Sequence, residues 1–419
     1  MKPFAPAEAT QPPMRDRPWL HTFRALRHRD FRLFWFGQIF SLSGTWLQLA
    51  ARQWLIYRLT GSPLALGAIA FLGLLPAIPV ALIGGAIVDR VPKRKLIIVT
   101  QAGLMLQALL LAVLTWRGVI QVWHLVLLEL VAGMLGAIDL PARQAFVVEM
   151  VGKDDLMNAV ALNSAIFSAA RAVGPAVGGL LIATLGEAGC FLINGVSYLP
   201  VLGGLLLMRT GNRPAERGAA SLGANMVEGF RYLLHQRVLL GLVSLMAVIG
   251  LFGMTHITLM PVFARDVLSG DAERYGFLLA AIGIGAVIGA LGVASLKHSH
   301  RGRWMLAGSL SLALALVLFA LSRQVVWSWI ALVGAGAAFI AVQALINTLI
   351  QVSVEDRLRG RVMSIYSLLF IGSQQVGALA AGAGAQLVSA PLVVVAGALV
   401  TAAYAVGLMA LLPSIRRMR

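Results

Sequence analysis

The sequence predicts an all-α membrane protein: twelve transmembrane helices laid out as two six-helix repeats. Three observations carry this reading. Hydrophobic residues make up 59% of the 419 residues and charged residues only 12%, against about half and a quarter in a soluble domain. Such a chain cannot hide its apolar surface in one soluble core, so lipid must cover part of it. Apolar runs of roughly 20 residues, long enough to cross a hydrocarbon core about 30 Å thick, recur twelve times along the chain. Similar segments also recur about 200 residues apart. Backbone groups in lipid must be satisfied within their own segment, which makes the runs helices; the short alternating segments of a β-barrel are absent.

In chain order, residues 1–32 hold Pro3, Pro6, Pro12, Pro13 and Pro18 and no apolar run. They are expected to form a disordered cytoplasmic tail, not a cleaved signal peptide. Six runs follow, near 33–57, 64–87, 96–116, 122–140, 158–184 and 190–208, as an N-terminal bundle spanning 33–208. Residues 209–238 read as a cytoplasmic linker: a polar stretch, RTGNRPAERGAASLGAN, then an amphipathic segment, MVEGFRYLLHQRVLL, suited to a short helix on the membrane surface. A C-terminal bundle spanning 239–412 has runs near 239–264, 275–296, 304–322, 326–350, 362–388 and 391–412, and 413–419 is a second cytoplasmic tail.

The formal charge of +17 sits in the short gaps between runs, so it reads as topology and not as a nucleic-acid surface. With the N-terminus placed inside, cytoplasmic segments hold 27 Lys and Arg and the opposite loops only five: Arg58, Arg117, Arg265, Arg274 and Arg323. This bias puts both termini in the cytoplasm. Trp35, Trp54, Trp116, Trp123, Trp304, Trp327 and Trp329 fall near run ends, as an interfacial aromatic belt requires, whereas Trp46 falls in mid-membrane. The single cysteine, Cys190, excludes an internal disulfide, and no His/Cys spacing suggests a metal or other cofactor.

The repeat shows in two pairs. GAIVDRVPKRK from Gly85 is matched by a weaker GALGVASLKHSHR from Gly289, and GPAVGG from Gly174 by GALAAG from Gly377. Tandem halves of this kind place a substrate site at their interface, near mid-membrane. The loop Gly85-Ala-Ile-Val-Asp89-Arg90-Val-Pro-Lys93-Arg94-Lys95 resembles the signature loop of the major facilitator superfamily, with Pro92 in place of its second glycine. RAVGPAVGG, Arg171 to Gly179, is similar to that superfamily's antiporter motif; Ala161 and Ala170 stand where its earlier glycines would be. LTGSPLALG after the first run, IDLPARQAFVVEMV closing the fourth and RGRVMSIYSLLF opening the eleventh resemble the bacterial exporter branch that includes the enterobactin exporters, the transmembrane secretion effector type.

The resemblance implies a monomeric secondary transporter of small molecules, with runs 1, 4, 7 and 10 around a cavity. The polar residues inside the runs fit that expectation. Gln38, Ser41, Thr45, Gln48 and Arg52 follow each other at 3, 4, 3 and 4 residues, on one helical stripe. Ser164, Ser168 and Arg171, Thr255 and His256, Gln343 and Asn347, and Ser367 and Gln374 add polar positions in runs 5, 7, 10 and 11. These are candidates for the cavity wall, with interhelical hydrogen bonding as the competing role. Glu129, Asp139 and His256 are the candidates for carrying a coupling proton. Gly85, Asp89, Arg90, Lys93, Arg94 and Asp139 on the cytoplasmic side, with Gly174, Pro175, Gly178 and Gly179 in run 5, are the candidate gate. Counting depth at 1.5 Å per residue pairs Arg52 with Glu129 and Arg171 with Asp139. As the resemblance implies, Asp89, Lys93 or Arg94, and Asp139 are expected to cluster at the cytoplasmic face, with Asp89 near the start of run 11.

The partners implied are a small, amphipathic substrate such as a drug or siderophore, protons, and the bilayer. No Gly-x-x-x-x-Gly-Lys-Ser/Thr phosphate loop and no nucleophile–base pair is present, so the chain is not read as an ATPase or other enzyme. A nutrient importer of the same fold and a non-transporting sensor or scaffold are the alternatives.

Overall fold

The computed structural model describes residues 23–76, 79–80, 91–210, 222–295 and 300–416. A 3-10 turn, Arg24–Arg27, leads into α1 (Arg29–Thr60), α2 (Pro63–Leu74), α3 (Lys93–Trp116) and α4 (Val122–Val151). One run, Leu156–Leu207, leaves the helical region only at Gly186, where φ is +68°. Its limbs are α5 (156–185) and α6 (187–207). A surface helix, Leu222–His235, precedes α7 (Arg237–Val267), which contains two π-helical turns, Ile249–Gly253 and Phe263–Val267. Then come α8 (Ala272–Ser295), α9 (Arg301–Leu321), α10 (Val325–Ser353), α11 (Asp356–Leu387) and α12 (Ala390–Leu411).

Local chemistry fixes several ends. The hydroxyls of Ser62 and Ser389 accept from the amides of Ala65 (3.3 Å) and Leu392 (3.4 Å), capping α2 and α12. Pro63 and Pro391 occupy the first turns, where a missing N–H costs nothing. Gly186 needs positive φ, which a side chain would strain, and this turns the chain from α5 into α6.

Among the described residues, nine helical segments are long and apolar enough to cross a membrane. The sequence runs that fall outside this set are the first, second and fifth. α1 and α5 carry the polar residues already noted, and α2 is described over 12 residues. The π turns of α7 leave no hydrophobic signature and are absent from the sequence reading.

Three expectations need correction. The fourth run was placed at 122–140, yet α4 continues to Val151 through Pro141. Beyond Pro141 the continuous apolar signal gives way to a helical stripe, Ala142, Phe146 and Met150, which is buried. Phe146 meets Phe34 of α1 edge-on at 6.4 Å, and this packing sustains the helix. Trp54 is not in an interfacial belt: it is 8% exposed and stacks on Tyr275 at 5.3 Å. Finally, residues 23–32 are folded. The buried Asp155 carboxylate, in the α4–α5 turn, pairs with Arg24 (2.8 Å), Arg27 (2.7 Å) and His28 (2.7 Å), and Asn158 accepts from the Ala25 amide at 2.9 Å.

The His28 hydrogen bond, then Arg24 and Arg27, hold the Asp155 carboxyl below the ordinary carboxylate value of 3.8, against the opposing effect of burial. A depressed carboxyl contributes stability that is complete above the ordinary value and is lost as pH falls through the lowered one. Asp155→Asn should therefore release Arg24–His28 at neutral pH, seen as faster amide exchange there. Exchange unchanged from wild type would show that Asp155 does not tether the segment.

Candidate functional site

The membrane interior holds few charges, and the helices sort them into separate neighbourhoods. Arg52 of α1 contacts Glu129 of α4 through Nη1 and Oε2; their side chains are 12% and 13% exposed. The sequence-derived pairing of these two groups is therefore present in the geometry. A Cβ at Gly73 would lie 2.7 Å from Glu129 Oε1, so α2 closes over the carboxylate.

Gln38, Ser41 and Gln48 turn instead into the packing between α1, α3, α4 and α6, where they are 3%, 3% and 8% exposed. Gln48 donates to Gln107 at 3.0 Å and accepts from Asn194 at 2.8 Å. Ser41 donates to Gln101 at 3.4 Å. Asp139 is fully buried and accepts from Thr100 (2.7 Å) and Gln101 (3.0 Å), and pairs with Arg143 (2.7 Å), which also donates to Gln38 at 2.6 Å. This corrects the expected cavity wall. A polar stripe on α1 is broad enough to face two neighbours, and here three of its five residues act as interhelical hydrogen-bonding groups. Thr45 is exposed and donates to the Ser41 carbonyl at 2.8 Å. Gln48→Leu should cost about 1–3 kcal/mol by orphaning its two buried partners. Equal denaturation midpoints in detergent for variant and wild type would refute that role.

Arg171 does not reach Asp139, which corrects the second expected pair. Arg143, one helical turn along α4 from Asp139, supplies the nearer cation. Arg171 lies about midway along α5 and points to α10: Nη2 donates to Gln343 Oε1 at 2.7 Å, and the guanidinium carbon is 5.7 Å from the Phe339 ring centre. Asn347, one turn from Gln343, accepts from Gln351 at 2.5 Å. Ser164 and Ser168 are exposed on α5, and Gln374 is half-buried on α11. Thr255 and His256, 4% and 3% exposed, bond back to Phe252 and Gly253 of their own helix and are enclosed in packing. They follow the first π turn of α7, whose widened register turns them inward.

Of the gate candidates, Gly85, Asp89 and Arg90 lie outside the described residues. Lys93 pairs with Glu149 at 2.5 Å, and Arg94 donates to the Leu205 (2.7 Å) and Leu206 (2.9 Å) carbonyls. The expected cluster of these cations with Asp139 is absent, because each has a nearer acceptor at the ends of α4 and α6. The backbone stays helical through 174–179, Pro175 included. Gly174 abuts Trp46 and Gly178 abuts Leu47 and Ala50, all on α1. Gly179 meets Gly276 of α8 so closely that a Cβ at 179 would lie 1.8 Å from the Gly276 Cα.

That crossing belongs to a seal at the end of the molecule carrying the α1–α2 turn. Tyr57 of α1 contacts Asp266 of α7. Tyr275 of α8 donates to Gln53 (3.2 Å) and the Ala50 carbonyl (3.3 Å), and Ser62 donates to Gln386 of α11 at 3.0 Å. Gly67 of α2 and Gly382 of α11 approach within backbone contact. Tyr57, Gln53, Asp266, Tyr275 and Gln386 were not singled out in the sequence; each sits near a run end, where polar and aromatic residues are ordinary. At the opposite end the ion pairs run within neighbouring elements, as in Lys93–Glu149 and in Glu228 with Arg357 and Arg361.

Comparison with known proteins identifies the fold and the family. Solved structures of similar fold include the nucleoside transporter NupG (TM-score 0.71, 13% identity, covering 92% of this chain and 98% of that one) and a bacterial homologue of the lysosomal transporter Spinster in an inward-facing, occupied conformation (0.68, 15%, 93% and 98%). Among curated proteins, the chain is 26% identical to the multidrug efflux pump Tap of Mycolicibacterium fortuitum, over 83% of this chain and 87% of that protein. It is 29% identical to the enterobactin exporter EntS of Shigella flexneri, over 73% of each. The profile of the transmembrane secretion effectors matches residues 20–418. The chain is thus a membrane transporter that belongs to the transmembrane secretion effector family of the major facilitator superfamily.

Proposed function

We propose that the protein is a twelve-span, proton-coupled exporter of small amphipathic molecules that works as a monomer by alternating access. Its halves are 33–208 and 239–412, and both termini lie on the cytoplasmic face of a bacterial inner membrane. The observation that carries this reading is the distribution of contacts between α1–α6 and α7–α12. Among the described residues, their hydrogen bonds lie at the α1–α2 end or, for Arg171–Gln343, at mid-depth. Halves bridged at one end, with no such bond at the other among the described residues, fit one of the two states that rocking halves exchange. With the positive-inside assignment, the unbridged end is cytoplasmic, the side from which an exporter loads. The efflux functions of Tap and EntS support export over uptake.

In this scheme Glu129 takes a proton from the periplasmic side while the outer end is open. Protonation removes its attraction for Arg52, and release of the proton to the cytoplasm restores the pair. Inverted membrane vesicles given a substrate panel should accumulate one or more compounds when energised, and collapse of the proton gradient should abolish accumulation. Accumulation in right-side-out vesicles instead would make the protein an importer, and transport in neither would leave the sensor reading.

A further inference from the structure

Among the described residues, Arg52, Glu129, Asp139, Arg143 and Arg171 lie well inside the membrane-spanning helices. The first four neutralise one another as Arg52–Glu129 and Arg143–Asp139. Arg171 is left with an amide, Gln343, and no carboxylate among the described residues. An uncompensated guanidinium at mid-membrane is costly to retain and marks a binding position when nothing in the fold neutralises it.

The groups around it are suited to one kind of ligand. The Phe339 ring lies under the guanidinium and stacks on Phe370 with ring centres 6.2 Å apart. Tyr366, one turn from Phe370 on α11, is only 5% exposed, yet its hydroxyl has no hydrogen-bond partner. It is close enough to interact electrostatically with Arg171. Gln343 spends its carbonyl on Arg171, so its amide N–H groups remain as donors. The surroundings therefore offer a cation, unused donors and two stacked rings, with no acidic acceptor beside them among the described residues. A cationic ligand would meet like charge here; an anion would complete the hydrogen bonding.

We propose that Arg171, with Tyr366 and the Phe339–Phe370 pair, forms a subsite for aromatic oxyanions, molecules bearing a carboxylate or phenolate on a planar ring. The subsite rests on the reading of the α5–α10 region as the transport path, and it specifies the substrate class that path accepts. The anion accepts from the guanidinium fork and the tyrosine hydroxyl, and its ring packs against Phe339.

The test is binding to the purified full-length protein in nanodiscs, with 1-hydroxy-2-naphthoate as anion and 1-hydroxy-2-naphthamide as its neutral counterpart. Wild type should bind the anion at least about tenfold tighter than the amide, the scale of a charge-assisted contact. Arg171→Gln should erase that preference, weakening the anion far more than the amide. Arg171→Lys, which keeps the charge and loses the planar fork, should retain part of it, and Tyr366→Phe should weaken the anion alone. Amide binding as tight as anion binding in wild type would overturn the proposal without any variant. So would undiminished anion affinity in folded Arg171→Gln. If that variant does not fold, Arg171→Lys and the wild-type preference decide. Anion preference without transport in vesicles would leave this subsite standing and the export reading refuted; energised efflux without anion preference would do the reverse.

Discussion

Glu129→Gln should abolish proton-driven transport while leaving substrate binding measurable. The amide keeps the shape and part of the hydrogen bonding to Arg52, so the helices stay in register, but it cannot take up and release a proton. Glu129→Ala should be worse for the fold. Removing one member of a buried pair strands the other, which costs about 3–5 kcal/mol, whereas replacing both by apolar groups is often near neutral. Arg52→Met/Glu129→Leu should therefore regain most of the stability that Glu129→Ala loses, yet remain inactive. Thermal denaturation in detergent and proton-driven flux in reconstituted vesicles separate the two effects. Wild-type flux in Glu129→Gln would remove this carboxylate from coupling and leave Asp139 next in line. Asp139 is the weaker candidate, because Thr100, Gln101 and Arg143 already hold it in place.

The second large effect is expected at the α5–α8 crossing. A Cβ at Gly179 would lie 1.8 Å from the Gly276 Cα, a backbone atom that cannot swing aside. Gly179→Val should force α5 and α8 apart and disfavour the state sealed at the α1–α2 end. Transport should fall at least about tenfold, because a shift of 1.4 kcal/mol between the two states already changes their ratio by that factor. Gly203→Val is the control, since nothing lies within 4 Å of a Cβ there. With Cys190 replaced by alanine, a cysteine at Gln53, under the Tyr275 hydroxyl, should become reactive from the α1–α2 side in Gly179→Val only. Unchanged labelling and flux would show that the crossing tolerates a side chain and does not govern the seal.

The polar and charged residues show where sequence reasoning reaches and where it stops. Arg52 and Glu129 could be paired from depth alone, since both lie a few turns from the same helix ends and no other acid lies at that level. Arg171 and Asp139 also share a depth, but depth does not fix rotation about the helix axis. Arg143, four residues from Asp139 on the same face, took the position that the one-dimensional argument gave to Arg171. The α1 stripe was legible as a stripe; which of its residues are enclosed by α3 and α6 depended on neighbours that periodicity cannot name.

By itself, the sequence determined the helical class, the membrane setting and most helix positions, because lipid imposes a length and an apolarity that composition records directly. It also singled out Gly174, Gly178 and Gly179 as candidate gate positions and Arg171 as a candidate for the cavity wall. Only the tertiary structure decided that the described bonds between the halves gather at the α1–α2 end, that Tyr57, Asp266 and Tyr275 make them, and that Arg171 faces Gln343 and Phe339 with no acid beside it among the described residues. These depend on rotation and approach between helices far apart in the chain. Contacts of that kind arise from the fit of whole surfaces and leave no periodic trace in the sequence.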